Sequence, residues 1–365
     1  MARNKFRLIF IALPVALAVL GCEQPKPVAA PSEPAAQTAA AKPEPPKCSD
    51  CVTVTPQTFP RAETDLYFGN FVKDGALGKF INNRTPTPID KQKVVRMNRD
   101  TLYSSAVLDL DAGPVTITLP DPGKRFLSMQ IVNEDEYTPM VVYSKGAYTL
   151  TKEKIGTRYA AVLLRILADP NSTQDLDEVH KLQDAVTITQ KAPGTFEAPK
   201  WDQASQDKIR EALVALGSTI TDFKNAFGTK QQVDPVNYLI GSAAGWGGNP
   251  DKDATYAQMK VPNNDGKQVY KLTVKDVPVD GFWSISVYNA KGYFEQNSLN
   301  AYSINNITAQ KNADNSVTVQ FGGCENKAPN CVPITPGWNA TIRMYRPRTE
   351  ITSGKWKFPE VQPAT

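Results

Sequence analysis

One histidine, His180, in 365 residues removes several chemistries at the outset. A metal held by two or three imidazoles is impossible within one chain, and histidine-based catalysis has a single residue to draw on. Cysteine is scarce too: five are too few for a disulfide-dense miniprotein. No apolar run reaches the ~18 residues that a permanent membrane span needs. Neither sign of charge dominates, since 41 Lys and Arg against 37 Asp and Glu leave +4, and no basic stripe suggests a nucleic-acid partner. There is no G-x-S-x-G elbow and no Walker loop, and Gly245-Trp246-Gly247-Gly248 lacks the third glycine and strand context of a dinucleotide fingerprint. Asp251, Asp253, Asn263 and Asp265 lack the spacing of a calcium loop. Neither a cofactor nor a metal is expected. What is present, 41% hydrophobic and 21% charged residues, is the composition of ordinary folded domains, with length for two.

The N-terminus reads as an address. Arg3, Lys5 and Arg7 precede a short apolar stretch from Leu8 to Gly21, broken only by Pro14. That is the build of a secretory signal. It ends Val19-Leu20-Gly21-Cys22, which resembles the lipobox of bacterial lipoproteins, with Cys22 as the lipidated residue. Glu23 rather than Asp at the next position favours the outer membrane over retention at the inner one. Residues 23–47 hold seven prolines and seven alanines, with three Lys balancing three Glu, and cannot bury apolar surface. They are expected to form a tether reaching up to about 78 Å at ~3.1 Å per residue. The only expected membrane contact is through the lipid, on the periplasmic face of the outer membrane. Without the signal's three charges and the neutral tether, the body carries about +1.

The other four cysteines form two close pairs, Cys48/Cys51 and Cys324/Cys331. In an exported protein the expectation is two local disulfides, Cys48–Cys51 and Cys324–Cys331. Cross-pairing and a four-thiolate metal site are the alternatives.

Residues 61–82 have the apolar side of a helix, with Leu66, Phe68, Phe71 and Val72. Strand patterns then dominate from about 94 to 167: Val115, Ile117 and Leu119 alternate with Thr116 and Thr118. Tyr159 to Leu167 reads as a buried strand or a short helix. Helical spacing takes over at 172–184, at 204–227 and at 235–244. From 267 the period returns to two, as in Trp283, Ile285 and Val287 against Ser284, Ser286 and Tyr288. No βαβ repetition is visible, so a parallel doubly wound sheet is rejected. The expected fold is mainly β with an all-α insert: two antiparallel sandwiches flanking a helical segment. The expected boundaries are 1–21 signal, 22–47 lipidated cysteine and tether, 48–170 first sandwich, 171–250 helical insert and 251–365 second sandwich.

Three polar and aromatic clusters carry what chemistry there is. The first is Asn98-Arg99-Asp100-Thr101-Leu102-Tyr103-Ser104, the second Gly245 to Pro250 with Trp246, and the third Trp283 and Tyr288 with Arg343 and Tyr345. Each could serve structure, because buried polar groups must be paired, or could hold a polar ligand. His180 sits on a helix as a packed or surface imidazole, its sharper reading being a general base.

The same residues carry a resemblance. N-R-D-T-L-Y-S at 98–104, Leu108-Asp109-Leu110, Gly113-Pro114, R-F-L-S-M-Q at 125–130 and Leu182-Gln183-Asp184 resemble the bacterial domain-of-unknown-function family 1254. Gly281 to Tyr288, Leu299 to Ser303, Asn315 to Val319, Arg343-Met344-Tyr345 and Gly354-Lys355-Trp356 are similar to family 1214. The resemblance implies two β-sandwich domains with an all-α segment between. Ala301 stands where members often have Arg, which removes any anion contact by that arginine.

The leading expectation is a lipid-tethered envelope protein whose β domains bind a polar organic or glycan-like ligand. Its cleft would be lined by Asn98, Asp100, Tyr103, Trp246, Trp283 and Arg343, with Arg99 and Tyr288 beside them. The first alternative is a hydrolase, with Asp100 as base or nucleophile and Tyr103 or Arg343 stabilising negative charge. The second is an envelope scaffold without a pocket.

Overall fold

A computed structural model describes residues 48–92, 96–220 and 222–364. The expected signal, Cys22 and the tether lie outside the described residues. Helix α1 (Phe59–Lys73) leads into β1 (Ile81–Asn82), β2 (Thr101–Asp109), β3 (Val115–Leu119), β4 (Leu127–Asn133), β5 (Met140–Val142) and β6 (Gly146–Leu150). Helix α2 (Lys152–Ile155) and β7 (Tyr159–Leu167) follow, then α3 (Thr173–Ala185), β8 (Thr187–Gln190), α4 (Gln203–Gly217) and α5 (Pro235–Ala244). The second half contains β9 (Ala254–Gln258), β10 (Tyr270–Val274), β11 (Trp283–Tyr288), β12 (Ser303–Asn305), β13 (Val317–Phe321) and β14 (Cys331–Val332). It closes with β15 (Asn339–Tyr345), α6 (Thr349–Thr352) and β16 (Gln362–Pro363).

The strands form two sandwiches. In the first, β1-β2-β7-β4-β5 faces β6-β3-β8, so that Leu102, Ala106 and Leu108 of β2 meet Val115, Ile117 and Leu119 of β3. In the second, β14-β13-β10-β16 faces β12-β11-β15-β9, burying Leu272, Val274, Ile285, Val287 and Ile342 together. All ladders between these strands are antiparallel except β13 with β14. Each fully buried aliphatic side chain contributes roughly 1.5–3 kcal/mol, so the period-two pattern selects which faces close on each other.

The helices begin where their caps dictate. Ser172 Oγ accepts from Asp175 N (3.2 Å), the Asp202 carboxylate from Ser205 N (2.9 Å), and Asp234 from Val236 N and Asn237 N (both 2.9 Å). Helix α1 packs Phe68 against Val107, Tyr159 and Ala161 on the outer face of the five-stranded sheet. Helices α4 and α5 join it through Ile209, Leu213 and Ala243 around Phe59 and Ala62.

Three boundaries differ from expectation. Helix α1 stops at Lys73 rather than 82, because Gly75 at φ +93° turns the chain. Helix α4 stops at Gly217 rather than 227, where the Ser218 and Thr219 hydroxyls bond back to Ala215 O (2.7 Å) and Leu216 O (2.8 Å). Phe227 then fills the space above Gly241 and Gly248, where a Cβ would lie 3.2 Å and 2.2 Å from its ring. The middle segment also contains a strand, β8, whose Ile188 pairs with Ile117 in the first sandwich. The two cysteine pairs are the disulfides Cys48–Cys51 and Cys324–Cys331.

Candidate functional site between the two sandwiches

Side chains alternate across a strand, so the residues between the core positions of β2, β7 and β4 point outward: Tyr103, Arg165, Ser128 and Gln130. On β11 and β15 the corresponding outward residues are Ser284, Ser286, Tyr288, Arg343 and Tyr345. These outward residues are buried except Tyr103, which is half-buried. Phe126 and Leu167 of the first sandwich pack with Ala254, Phe282 and Tyr345 of the second, and a polar layer lies beside that apolar seam.

Within the layer, Arg165 donates to Gln130 Oε1 (2.6 Å) and Gly247 O (2.9 Å), its guanidinium 5.4 Å from the Tyr103 ring centre. Arg343 donates to Ser286 Oγ (2.9 Å), Tyr288 Oη (2.8 Å) and Arg96 O (2.7 Å), while the Tyr288 hydroxyl donates to Met97 O (2.8 Å). Asn98 Nδ2 lies 3.1 Å from Tyr103 Oη and 3.2 Å from Tyr345 Oη, bridging the two sandwiches. Asp100 N bonds Asn98 Oδ1 (2.9 Å), and Asp100 Oδ1 accepts from Ser303 Oγ (3.2 Å) and Asn305 Nδ2 (3.1 Å). Asp100 is 1% exposed, and its Oδ2 has no partner.

Electrostatics separates the two phenols. Burial raises Tyr103, but the Arg165 guanidinium and the donor from Asn98 outweigh it, so its net direction is down. Tyr345 goes well up, through burial and the neighbouring Tyr256 and Tyr103 phenols, against the pull of Arg165 and Arg343. Burial lowers Arg343, and Tyr288, Tyr345 and Asp100 raise it further than that.

The structure brings Asn98, Asp100, Tyr103, Tyr288 and Arg343 together and leaves three expected residues out. Arg99 donates to Thr87 O and covers Tyr302 and Phe294, 5.3 and 5.9 Å from the ring centres. Trp283 points into the core of the second sandwich, because it shares the parity of Ile285 and Val287 rather than of Ser284. Trp246 stacks on Tyr67 (4.3 Å) and donates to Thr64 Oγ1 (3.0 Å) against helix α1. His180 Nε2 lies 2.7 Å from Arg84 O, away from the layer.

Sequence reasoning missed Arg165, whose only signal was a charge inside the apolar run Tyr159–Leu167. It also missed a group of buried acids around α1. Glu63 accepts from Arg210 Nε (3.0 Å) and Gln206 (2.8 Å), and Glu134 Oε2 accepts from Tyr159 N (2.9 Å). Asp65 accepts from Trp201 Nε1 (2.8 Å) with Oδ1 unpartnered, and burial pushes it up to about 6. Glu136, at φ +60°, accepts from Gly247 N (3.3 Å) with Oε2 unpartnered, and burial pushes it up to about 8. Their signal lay in Glu63 and Asp65 of a helix and in the run Glu134-Asp135-Glu136. A concavity of about 410 Å³ lies elsewhere, beside the Cys324–Cys331 loop, with Leu299, Ala301 and Ile304 in its wall. The orphaned buried atoms of the inter-sandwich layer mark the stronger site, because an open concavity costs nothing to leave wet.

Two antiparallel sandwiches, a helical layer and a largely buried polar layer define the class of protein. Residues 77–155 match the family described as proteins of unknown function, DUF1254, and residues 254–349 match a second such family, DUF1214. The fold is shared with the VPA0106 protein from Vibrio parahaemolyticus, at 18% identity over 84% of this chain and 96% of that one, with a TM-score of 0.64. An uncharacterised protein from Burkholderia cenocepacia is 13% identical over 84% of this chain and 86% of that one, with a TM-score of 0.47. No curated protein matches the sequence.

Proposed function

We propose that this chain is a lipid-anchored protein of the bacterial cell envelope that takes a small polar organic ligand between its two sandwiches. The observation that carries the binding reading is the set of buried polar atoms in the layer that have no partner: Asp100 Oδ2, Ser128 Oγ and Ser284 Oγ. An orphaned buried polar atom costs about 1–3 kcal/mol, which a ligand or water supplying the missing bond offsets. The anchoring reading is supported by the Gly21-Cys22 motif, the tether composition and two disulfides.

A hydrolase at the same place is the second reading, with Asp100, buried and with Oδ2 unpartnered, as base or nucleophile and Tyr103 or Arg343 stabilising negative charge. Asp100→Asn separates the readings. For a binder it weakens affinity by about 1–3 kcal/mol in a thermal-shift titration. For a hydrolase it abolishes turnover, and an unchanged affinity with no turnover in either protein leaves the scaffold. Cys22→Ala should move the protein from the membrane to the soluble fraction of cells, and unchanged fractionation would remove the anchor.

A further inference from the structure

Arg165 and Arg343 are the two buried cations of the inter-sandwich layer. Both are buried, and burying an unpaired charge is among the most costly things a fold can do. Among the described residues no carboxylate lies within ion-pair distance of either guanidinium. The acceptors they have are neutral: an amide oxygen, two backbone carbonyls, a serine hydroxyl and a phenol. Elsewhere the chain pairs its half-buried arginines readily, as in Arg125–Asp175 and Arg158–Asp109. Among the described residues, buried arginines without an ion pair are therefore a feature of this layer.

The strand register adds a second, independent feature. Ser128 is the cross-strand neighbour of Arg165, and Ser284 is the cross-strand neighbour of Arg343. These two serines are 2% and 0% exposed, and their hydroxyls have no partner. Each outer face thus presents a guanidinium beside an unused hydroxyl. An unpartnered hydroxyl beside a guanidinium occurs once on each side of the same layer. Tyr345, which feels both guanidiniums, lies with Asn98 and Tyr103 between them. Asp100 Oδ2 is the opposite case, an acceptor lacking a donor.

We infer that the ligand is a small organic carboxylate carrying a hydroxyl or amino group, held by the Arg343–Ser284 and Arg165–Ser128 pairs with its donor on Asp100. This rests on the binding reading above and names its ligand class. A carboxylate is the planar two-oxygen acceptor that a guanidinium and a neighbouring hydroxyl match. It also brings a negative charge to guanidiniums whose hydrogen-bond acceptors are all neutral. The hydroxyl or amino group follows from Asp100 Oδ2, a buried acceptor left without a donor.

The test is a thermal-shift and calorimetric titration of the full chain, purified from membranes in detergent, with lactate, malate and alanine. The neutral comparators are lactamide, glycerol and glucose, and inorganic phosphate is the other anion. Lactate, malate or alanine should raise the melting temperature saturably, with lactamide and glycerol without effect. Ser284→Ala and Ser128→Ala remove one methyl-sized donor each and should weaken the dissociation constant about three- to tenfold, the size of one hydrogen bond. Thr318→Ala, on the exposed side of β13 with its hydroxyl 2.9 Å from Thr273 Oγ1, should leave it unchanged. Binding of phosphate or of the neutral comparators without the carboxylates would overturn the ligand class and keep the site. Carboxylate binding indifferent to both serine variants would place the ligand elsewhere and overturn the proposal. No response to any compound would overturn this inference and the binding reading together.

Discussion

Replacing Glu136 by Gln should make the protein more stable, and by an amount that grows with pH. Glu136 is 2% exposed and sits at φ +60° in the turn between β4 and β5. Burial is the largest cause of its shift, opposed by the Ser242 hydroxyl and the Gly247 N–H and reinforced by Glu63. The side chain is thus neutral in the fold at pH values where the unfolded chain carries a charged glutamate. Between the usual 4.5 and about 8 the folded state holds one more proton than the unfolded state. Stability is therefore complete below about 4.5 and falls by about 1.36 kcal/mol per pH unit as pH rises. The loss reaches about 3 kcal/mol near pH 7 and levels off near ~5 kcal/mol above pH 8. Glutamine keeps the acceptor for Gly247 N–H and mimics the neutral acid in size, so it escapes this loss. Urea unfolding of both proteins from pH 5 to 8.5 measures it: the two curves should nearly coincide at pH 5 and separate by several kcal/mol at pH 8. A difference that stays constant across that range would refute the assignment of a buried, proton-holding Glu136. A less stable variant at every pH would show instead that Glu136 acts as a charged partner.

Gly194→Ala should destabilise the first sandwich by more than 2 kcal/mol, because a Cβ there falls 2.4 Å from Asp109 Cβ at φ +73°. Gly113→Ala, at φ +128° with nothing within 4 Å, should cost only about 1 kcal/mol, and equal losses in chemical unfolding would refute the steric account. The double variant Cys324→Ser/Cys331→Ser opens a loop of sequence separation 7 and should lose roughly 2–3 kcal/mol. The reduced wild type should lose a similar amount, and insensitivity to both changes would mean that the bridge constrains nothing.

Local patterns were readable wherever one residue's chemistry decides the structure. Ser172, Asp202 and Asp234 announce helix starts, since each supplies an oxygen to otherwise orphaned backbone N–H groups. Alternation of Val115, Ile117 and Leu119, or of Trp283, Ile285 and Val287, assigns the core face of a strand, since the side-chain period is two. Parity also separates Arg343 from Ile342 and Met344. Trp283 belongs with the core by that same parity, and the expectation that it lined a cleft ignored it.

Other features depended on residues far apart in sequence. Phe227 fits the helical spacing of 204–227, yet the space above Gly241 and Gly248 takes its ring, a contact no local pattern contains. Arg165 looked like an interruption in an apolar strand. Only the second sandwich, packed across the outer face of β7, turns that charge into part of a largely buried layer. The loop after α5 links that layer to the buried Glu136 of the β4–β5 turn, because the Gly247 N–H bonds Glu136 and its carbonyl accepts from Arg165.

The sequence by itself, beyond its resemblance to the two families that residues 77–155 and 254–349 match, determined the antiparallel class and the expectation of local cysteine pairing. These follow from period, turn chemistry and short-range geometry. Only the tertiary structure decided which outer faces meet, that the 98–104 segment lies with Arg343, that Asp100, Ser128 and Ser284 are left with unpartnered atoms, and that two buried arginines make no ion pair among the described residues. Burial and partnership are properties of surfaces brought together over more than 200 residues, as Asn305 and Asp100 are, and no local window of the chain contains both sides.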